Sequence, residues 1–271
     1  MPDISADDVA AGLSRLEIAE HPVCLHSSLR SFGRVGGGAD TVVDGFLAAG
    51  CTLVVPTYSW TFATQPVDGL RPPRNGWNYE LPRAADGSPR VFTTDTEEID
   101  GDMGAIPAAV VRNVQRVRGS HPLCSFSAVG GMATAAVGGQ TWEQPYAQFH
   151  WLADNDGYVL LAGVGLTALT LIHYAEQLAG RTPFRRWVFD ADGNVRTVPV
   201  GGCSNGFERL APTLATLERR DSVGPSLWRC YPVRAALETL AAAIREQPEL
   251  TRCANPACER CRDAIAGGPL L

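Results

Sequence analysis

The sequence predicts an α/β fold, a layered α/β/α sandwich around a central mixed sheet, in a single domain spanning residues 1–271. Short apolar segments alternate along the chain with segments of helical periodicity, which is the pattern of an α/β protein. Two apolar strands, residues 22–26 and 51–58, flank a helical segment at residues 39–49. A strand–helix–strand unit of this length is typical of parallel, buried strands.

The other elements follow from local patterns. Residues 6–19 predict an amphipathic helix, because Val9, Leu13 and Leu16 share one side. Gly50 ends the second helix and Gly180 a later one, since glycine readily adopts the left-handed conformation at a helix C-terminus. The remaining predicted elements are helix 104–114, strand 125–130, strand 158–164, helix 167–179, a hairpin of strands 187–190 and 196–200 joined by Asp-Gly, and helices 206–219 and 232–246.

Two loops interrupt this alternation. Residues 27–38, after the first strand, are rich in Ser and Gly. Residues 62–89 contain five prolines and three glycines, with Trp77 and Tyr79 near the middle. A loop of this length within a compact domain is usually functional or disordered. We therefore predict that residues 62–100 form an active-site loop or insertion, with a disordered excursion as the alternative.

The charge balance excludes some classes of function. There are 23 Lys and Arg against 29 Asp and Glu, a net charge of −6. Nucleic-acid binding needs clustered cations, so we expect no nucleic-acid partner. The short basic run of Arg181, Arg185 and Arg186 is typical of a solvated face or a site for one anion. The longest apolar run, residues 158–166, is about half of a membrane span, so no membrane association is expected.

The N-terminal residues are acidic rather than basic and then apolar, which differs from a secretory signal. We therefore expect a cytoplasmic protein whose eight cysteines are reduced rather than paired in disulfides.

Residues 202–206 match the Gly-x-Ser-x-Gly nucleophile elbow of the α/β-hydrolases. In those enzymes the catalytic histidine follows the serine. All the histidines of this chain precede Ser204; they are His21, His26, His121, His150 and His173. A strand-to-helix turn with a polar cap explains the motif better.

Residues 163–168 match Gly-x-Gly-x-x-Ala, a dinucleotide-binding pattern, and Asp190 lies roughly at the position of a ribose-binding acid. Against this interpretation, the pattern falls in the middle of the chain. The strand that follows also reads as part of a hairpin rather than of a second strand–helix–strand unit.

His173 and Glu176 are spaced i, i+3 on a predicted helix, so their side chains can interact. Imidazole is the side chain best suited to act as a base near neutral pH, and a neighbouring carboxylate can orient it and stabilise its cation. The alternative for such a pair is an ordinary surface or core contact.

Four blocks of sequence carry a family resemblance. They are LHSSLRSFGRVGGG at residues 25–38, VVPT at 54–57, RGSHPLCSFSAVG at 118–130, and LLAGVG at 160–165 followed by TLIHYAE at 170–176. In this order, over roughly residues 20–230, they resemble the aminoglycoside 3-N-acetyltransferases.

The resemblance implies direct transfer of an acetyl group from acetyl-CoA to an amine of an aminoglycoside-like acceptor, in a ternary complex. It implies His173 as the general base and Glu176 as its orienting partner. The residues implied to meet the acyl-CoA are His26, Ser27, Ser28, Phe32, Val35, Thr57, Ser125 and Phe126. His121 is expected to be structural. The expected partners are acyl-CoA, the amine acceptor and a second copy of the chain in a homodimer.

One block departs from the family. Its members commonly carry a Ser-Pro between the His-Pro segment and the glycine strand, and here that stretch is PYAQFHWL at residues 145–152. Two alternatives therefore stay open: an N-acyltransferase acting on a non-aminoglycoside amine in natural-product biosynthesis, and a catalytically idle homologue that binds CoA.

The C-terminal tail, residues 250–271, contains the spacing Cys253-x4-Cys258-x2-Cys261. Thiolates so spaced suit a tetrahedral structural zinc site, which needs a fourth ligand. The helix at 232–246 would separate Cys230 from Cys253 by about 22 Å at 1.5 Å per residue. Cys203 is therefore the better fourth ligand. The alternative is a set of unrelated free thiols.

Overall fold

The computed structural model describes residues 3–80 and 90–271. The helices are α1 (Ala6–Arg15), α2 (Ala39–Ala48), α3 (Ala105–Arg112), α4 (Ala133–Gly138), α5 (Ala147–Asp154), α6 (Leu171–Leu178), α7 (Ala211–Leu214), α8 (Val233–Glu246) and α9 (Glu259–Ile265). The strands are β1 (Pro22–Ser27), β2 (Thr52–Pro56), β3 (Ala63–Thr64), β4 (Val117–Arg118), β5 (Phe126–Val129), β6 (Tyr158–Ala162), β7 (Phe184–Phe189), β8 (Val195–Val200), β9 (Arg219–Val223) and β10 (Ser226–Pro232).

The main sheet has seven strands in the order β4-β5-β2-β1-β6-β10-β9. Its central strands β2, β1 and β6 are parallel, and the outer strands pair antiparallel. The prediction of a mixed central sheet is therefore confirmed.

Both faces of this sheet are covered, because successive side chains of a strand point to opposite faces. In β2, Leu53 and Val55 pack with α1, α2 and α3, whereas Val54 packs with α4, α5, α6 and α8. The three layers of the predicted α/β/α sandwich follow from this alternation. Within the described part of the chain, no helix combines the length and apolar character needed to cross a membrane.

A smaller sheet, β3-β7-β8, contains the hairpin predicted from the Asp-Gly turn. Trp187 of β7 is fully buried, and the rings of Trp77 and Tyr79 pack edge-on against it at 5.2 and 6.0 Å between centroids. These aromatic residues attach the loop predicted at 62–100 to the smaller sheet. Residues 81–89 of that loop lie outside the described residues.

The predicted helix at 206–219 is wrong. The chain instead makes a 3₁₀ turn at Phe207–Leu210 and the single turn α7, and then enters the strand β9. The helical turns end before residue 219, and residues 219–223 form an antiparallel ladder with β10. Tertiary pairing outweighs local helix propensity when the two compete.

Two other helices are shorter than predicted. The first ends at Arg15 rather than residue 19, because Leu16 caps it and Glu17 adopts a φ of +58°. The sixth begins at Leu171, after a separate 3₁₀ turn at Leu166–Ala168. Elements without a long apolar period were not predicted: α4, α5, α9, β3, β4, β9 and β10.

Replacement of Gly45 by Ala tests the close packing of α1 on α2. A Cβ at Gly45 would lie 2.5 Å from Cβ of Val9 and 2.8 Å from the carbonyl oxygen of Ala6. Better helix propensity contributes about 1 kcal/mol in favour of Ala, but overpacking costs about 1–3 kcal/mol. We therefore expect Gly45→Ala to lower Tm by a few degrees in thermal unfolding.

Gly138→Ala is the matched control, because a Cβ there meets no atom of the described residues within 4 Å. Its Tm should stay unchanged or rise slightly. A Gly45→Ala variant as stable as this control would contradict the close helix approach.

Candidate active site

The first cavity lies where the parallel strands end. Its volume is about 360 Å³, and its walls include Ser27 at the end of β1, Tyr58 after β2, Val164 after β6 and His173 of α6. The carboxyl ends of parallel strands meet at one edge of a sheet, which is where α/β folds commonly bind ligands.

Two of the residues predicted to meet acyl-CoA line this cavity, His26 and Ser27. The Ser27 hydroxyl is buried and has no hydrogen-bond partner among the described residues, so it can bond to a ligand. Burial lowers the pKa of His26 to about 4, which keeps its imidazole neutral at pH 7.

The other six residues predicted to meet acyl-CoA are outside the described lining of this cavity; they are Ser28, Phe32, Val35, Thr57, Ser125 and Phe126. The Oγ atoms of Thr57 and Ser125 lie 3.3 Å apart in the interior, and Nε of Arg118 donates to Oγ of Ser125 at 3.0 Å. Phe32 packs edge-on against Trp228 in the core. Ser28 and Val35 are half-buried on the loop that follows β1.

His173 and Glu176 are brought together on α6. Nδ1 of His173 lies 2.8 Å from Oε2 of Glu176, and their side chains are 13% and 9% exposed. An ionised carboxylate only accepts hydrogen bonds, so the imidazole hydrogen resides on Nδ1. Nε2 is then left with a lone pair that can accept a proton.

Three neighbours fix the orientation of the imidazole. Tyr146 stacks on it at 6.5 Å with 22° between the planes, and Phe207 meets it edge-on at 4.9 Å. A Cβ at Gly201 would lie 2.5 Å from Cδ2 of His173. Only glycine allows the backbone after β8 to approach the ring this closely.

Arg181 completes a chain of charged groups behind His173. Its Nη1 donates to Oε1 of Glu176 and, at 2.8 Å, to Oγ1 of Thr251. Its Nη2 donates to the carbonyl oxygen of Pro248 at 2.6 Å. The Arg181 side chain is 8% exposed, so Glu176 lies buried between an imidazole and a guanidinium.

A second cavity, of about 580 Å³, lies beside the smaller sheet. Its walls include Trp60, Trp77, Arg186, Gly201 and Arg260. His173 lines the first cavity, and Gly201, whose backbone abuts the His173 ring, lines the second.

Two acidic residues also lie at or next to the cavity walls. Asp102 lines the first cavity, and the carboxylate of Asp100 accepts the N–H of Trp60, a wall residue of the second, at 2.9 Å. Burial, with a smaller contribution from the negative charge of Asp102, raises the pKa of Asp100. Carboxylates here favour a cationic ligand.

Five residues of this site were not singled out as site residues from the sequence: Tyr58, Asp102, Tyr146, Arg181 and Gly201. Each enters the site through tertiary packing. Only Arg181 had a local signal, because it lies one residue beyond the helix-ending Gly180 and five beyond Glu176.

The cysteines predicted to bind zinc form one cluster. The Sγ atoms of Cys203, Cys253, Cys258 and Cys261 all lie within 4.8 Å of one another. Four sulfurs around a tetrahedral zinc ion, at about 2.3 Å each, are separated by about 3.8 Å. The donor set and spacing therefore fit a tetrathiolate site, whereas Cys230 lies in the core on β10.

Relatives of known name match much of the chain. A family model described as Aminoglycoside 3-N-acetyltransferase matches residues 24–256. Aminoglycoside N(3)-acetyltransferase IX of Micromonospora chalcea is 34% identical over 163 residues, 58% of this chain and 56% of that relative. Aminoglycoside N(3)-acetyltransferase III of Salmonella sp is 32% identical over 240 residues, 76% of this chain and 78% of the relative. The match thus spans little more than half the length of the Micromonospora relative.

Solved structures share the fold. The apoenzyme of aminoglycoside acetyltransferase AAC(3)-IVa has a TM-score of 0.78 at 21% identity, covering 98% of this chain and 99% of its own. A variant of AAC(3)-IVa in complex with a gentamicin has a TM-score of 0.77 at 21% identity, with 98% of both chains covered. The binary complex of AAC-IIIb with CoASH has a TM-score of 0.72 at 20% identity, covering 91% and 98%. Since the family model extends over most of the sequence, this chain belongs to the aminoglycoside 3-N-acetyltransferase family.

Proposed function

We propose that the protein transfers an acetyl group from acetyl-CoA to an amine of an aminoglycoside-like acceptor, with His173 as the general base. The observation that carries this proposal is the position of His173, which is oriented by Glu176 through Nδ1, lines the first cavity and contacts Gly201, a wall residue of the second. Membership of the family supports the reaction class, and the AAC-IIIb complex with CoASH supports coenzyme A as the carrier of the acetyl group. A cytoplasmic location, where acetyl-CoA is made, is part of the proposal.

The first cavity suits the acyl donor. Much of its wall is apolar, including Leu25, Pro56 and Val164, which fits the thin pantetheine arm of coenzyme A. The unpartnered hydroxyl of Ser27 can bond to an amide or carbonyl group of that arm.

The second cavity suits the acceptor. It is the larger of the two, and Trp60 and Trp77 offer ring surfaces that can pack on an amino sugar. Asp102 lines the first cavity and Asp100 accepts the N–H of Trp60 in the wall of the second, so their carboxylates would stabilise an arriving ammonium ion. The AAC(3)-IVa complex with a gentamicin supports an aminoglycoside as the acceptor class.

The chemistry needs one proton acceptor beside the reacting amine. Nε2 of His173 takes a proton from the acceptor ammonium, and the freed amine attacks the thioester carbonyl carbon. A C–N bond forms and the C–S bond breaks. The coenzyme A sulfur takes the proton held by His173, and the second ammonium proton goes to water. Both substrates are bound together, so no acyl-enzyme forms.

Glu176 and Arg181 position the base rather than touch the substrates. Glu176 holds the Nδ1 hydrogen and stabilises the imidazolium that forms during proton transfer. Arg181 keeps Glu176 in place and balances its charge when His173 is neutral.

A zinc ion at the four-cysteine cluster is part of the proposal as a structural ion. Four thiolates fill a tetrahedral zinc site and leave no open position for substrate, which is the mark of a structural rather than a catalytic site. The cluster therefore supplies no chemistry to the transfer.

Thiol release tests the proposed activity. The protein, acetyl-CoA and a panel that includes gentamicin, apramycin and sisomicin should give free CoA and an acetylated product by mass spectrometry. CoA binding without turnover of any panel member would favour a different amine acceptor, as the segment at 145–152 leaves open. Failure to bind acyl-CoA would overturn the proposal.

His173→Ala should lower kcat by roughly 10²–10⁴, the usual contribution of a general base, with the Kd for acetyl-CoA unchanged. Steady-state kinetics and calorimetric titration measure the two quantities. His150→Ala is the control, because the His150 side chain is 71% exposed on the surface. Near-normal kcat in His173→Ala would show that another group removes the proton.

Glu176→Gln should lower kcat less than His173→Ala, because the imidazole remains but loses its charged partner. It should also reduce the free energy of unfolding by about 3 kcal/mol, since Arg181 is left buried beside a neutral amide. Kinetics and urea unfolding measure these effects. Glu143→Gln, which alters the more exposed ion pair with Arg185, is the control. A kcat loss larger than that of His173→Ala would reverse the assigned roles.

A further inference from the structure

The C-terminal segment, residues 253–271, packs on the loop that forms part of the second cavity. Oδ2 of Asp263, a buried residue of α9, accepts the backbone N–H of Gly76 at 2.9 Å. Nε of Arg74 donates to the carbonyl oxygen of Gly268 at 3.1 Å, and the N–H of Leu270 donates to the carbonyl oxygen of Pro73 at 3.1 Å. Three contacts thus hold residues 73–76 against this segment.

The space around Gly76 is too small for a side chain. Gly76 has a φ of +55°, and a Cβ there would lie 2.9 Å from Cγ of Arg260 and from the Phe184 ring. Gly76 and Arg260 both line the second cavity. Arg260 lies between Cys258 and Cys261, so the position of the cysteine cluster sets where this part of the wall stands.

The same cluster also reaches a second part of the cavity wall. Cys203 follows Gly201 and Gly202 directly, and both glycines line the second cavity. Gly201 also abuts the His173 ring. The four sulfurs therefore join the backbone beside the proposed base to the segment that carries Arg260.

Besides the hydrogen bonds to residues 73–76, Ala264 packs against the apolar cluster of the smaller sheet, and the N–H of Thr182 donates to the carbonyl oxygen of Gly267 at 2.9 Å. Helix α9 has seven residues, which is too short to be stable by itself. The buried residues around the sulfurs are the cysteines themselves, rather than a larger apolar core. Metal binding can add stabilisation, because the four thiolates come together only in the folded chain, so the free energy of metal binding becomes free energy of folding.

We propose that Cys203, Cys253, Cys258 and Cys261 bind one zinc ion, and that this ion holds part of the wall of the second cavity in position and so controls acceptor binding. The part about the acceptor rests on the proposed function. The metal site and the ordering of residues 73–77 do not depend on it. Tetrahedral sulfur ligation suits zinc or iron, and zinc is the commoner metal of closed structural sites.

Metal analysis tests the site without a substrate. Protein purified without chelator should contain about one zinc per chain by elemental mass spectrometry, and Cys258→Ser should have lost it. Cys51→Ser is the matched control, since Cys51 is also buried but lies outside the cluster and its thiol already donates to the Ile18 carbonyl oxygen. That variant should keep its zinc. No metal, or iron in place of zinc, would overturn the proposal.

Amide hydrogen exchange tests whether the metal site orders residues 73–77 in the cavity wall. Cys258→Ser should speed amide exchange at residues 73–77, whereas exchange in α2 on the far face of the sheet should be unchanged. Asp263→Asn should keep the zinc but weaken the hydrogen bond to Gly76, and so also speed exchange at residues 73–77. It remains informative if Cys258→Ser does not fold.

The effect on acceptor binding is measured with whichever amine is acetylated in the thiol-release assay. Asp263→Asn should raise KM for that acceptor by roughly fivefold, because one charge-assisted hydrogen bond is weakened, with KM for acetyl-CoA unchanged. If amide exchange at residues 73–77 is equally fast in zinc-bound wild type and in both variants, the proposed role of zinc in the cavity wall is overturned. If no amine is acetylated, the proposed function fails, and zinc content and exchange still decide the present proposal.

Discussion

The buried carboxylate of Glu176 is the group on which the arrangement of the site depends. It accepts a hydrogen bond from Nδ1 of His173 on one side and from Arg181 on the other. A buried carboxylate is costly without partners, so neither contact can be lost without consequence for the other. Arg181 in turn binds Pro248 and Thr251, which lie just before Cys253 in the chain. The proposed base is thus linked to the C-terminal part of the chain through three side chains.

The contact between Gly201 and the His173 ring depends on where β8 ends. Nε2–H of His121 donates to the carbonyl oxygen of Pro199 at 2.9 Å, and Nδ1 accepts the N–H of Cys124 at 2.9 Å. Burial lowers the pKa of His121 to about 4, so the ring is neutral at pH 7 and both bonds persist. Two residues after Pro199, Gly201 reaches the His173 ring. These contacts give His121 the structural role that was expected for it.

Elements set by local patterns were predicted from the sequence, whereas an element set by strand pairing was not. The strand–helix–strand unit β1–α2–β2 and the hairpin β7–β8 were correctly predicted, because both follow from short-range periodicity and turn chemistry. The segment at 206–219 was mispredicted as one helix, and the strand β9 that begins at residue 219 was missed, because its pairing with β10 is not visible in the local sequence. In the site, the i, i+3 spacing identified His173 and Glu176. By contrast, six of the eight residues assigned to acyl-CoA lie outside the described lining of the first cavity, because order along the chain does not show which way a side chain points.

Patterns along the chain were enough to establish the α/β class, the family, the pairing of His173 with Glu176 on one helix, and the cysteine spacing. Each of these is a relation between residues close in the chain or a pattern repeated along it. The folded molecule was needed to show that Arg181 holds Glu176, that Gly201 abuts the imidazole, and that Cys203 joins the three tail cysteines. These contacts bring together segments whose separation in the chain is bridged by strand pairing and helix packing, which local residue preferences do not encode.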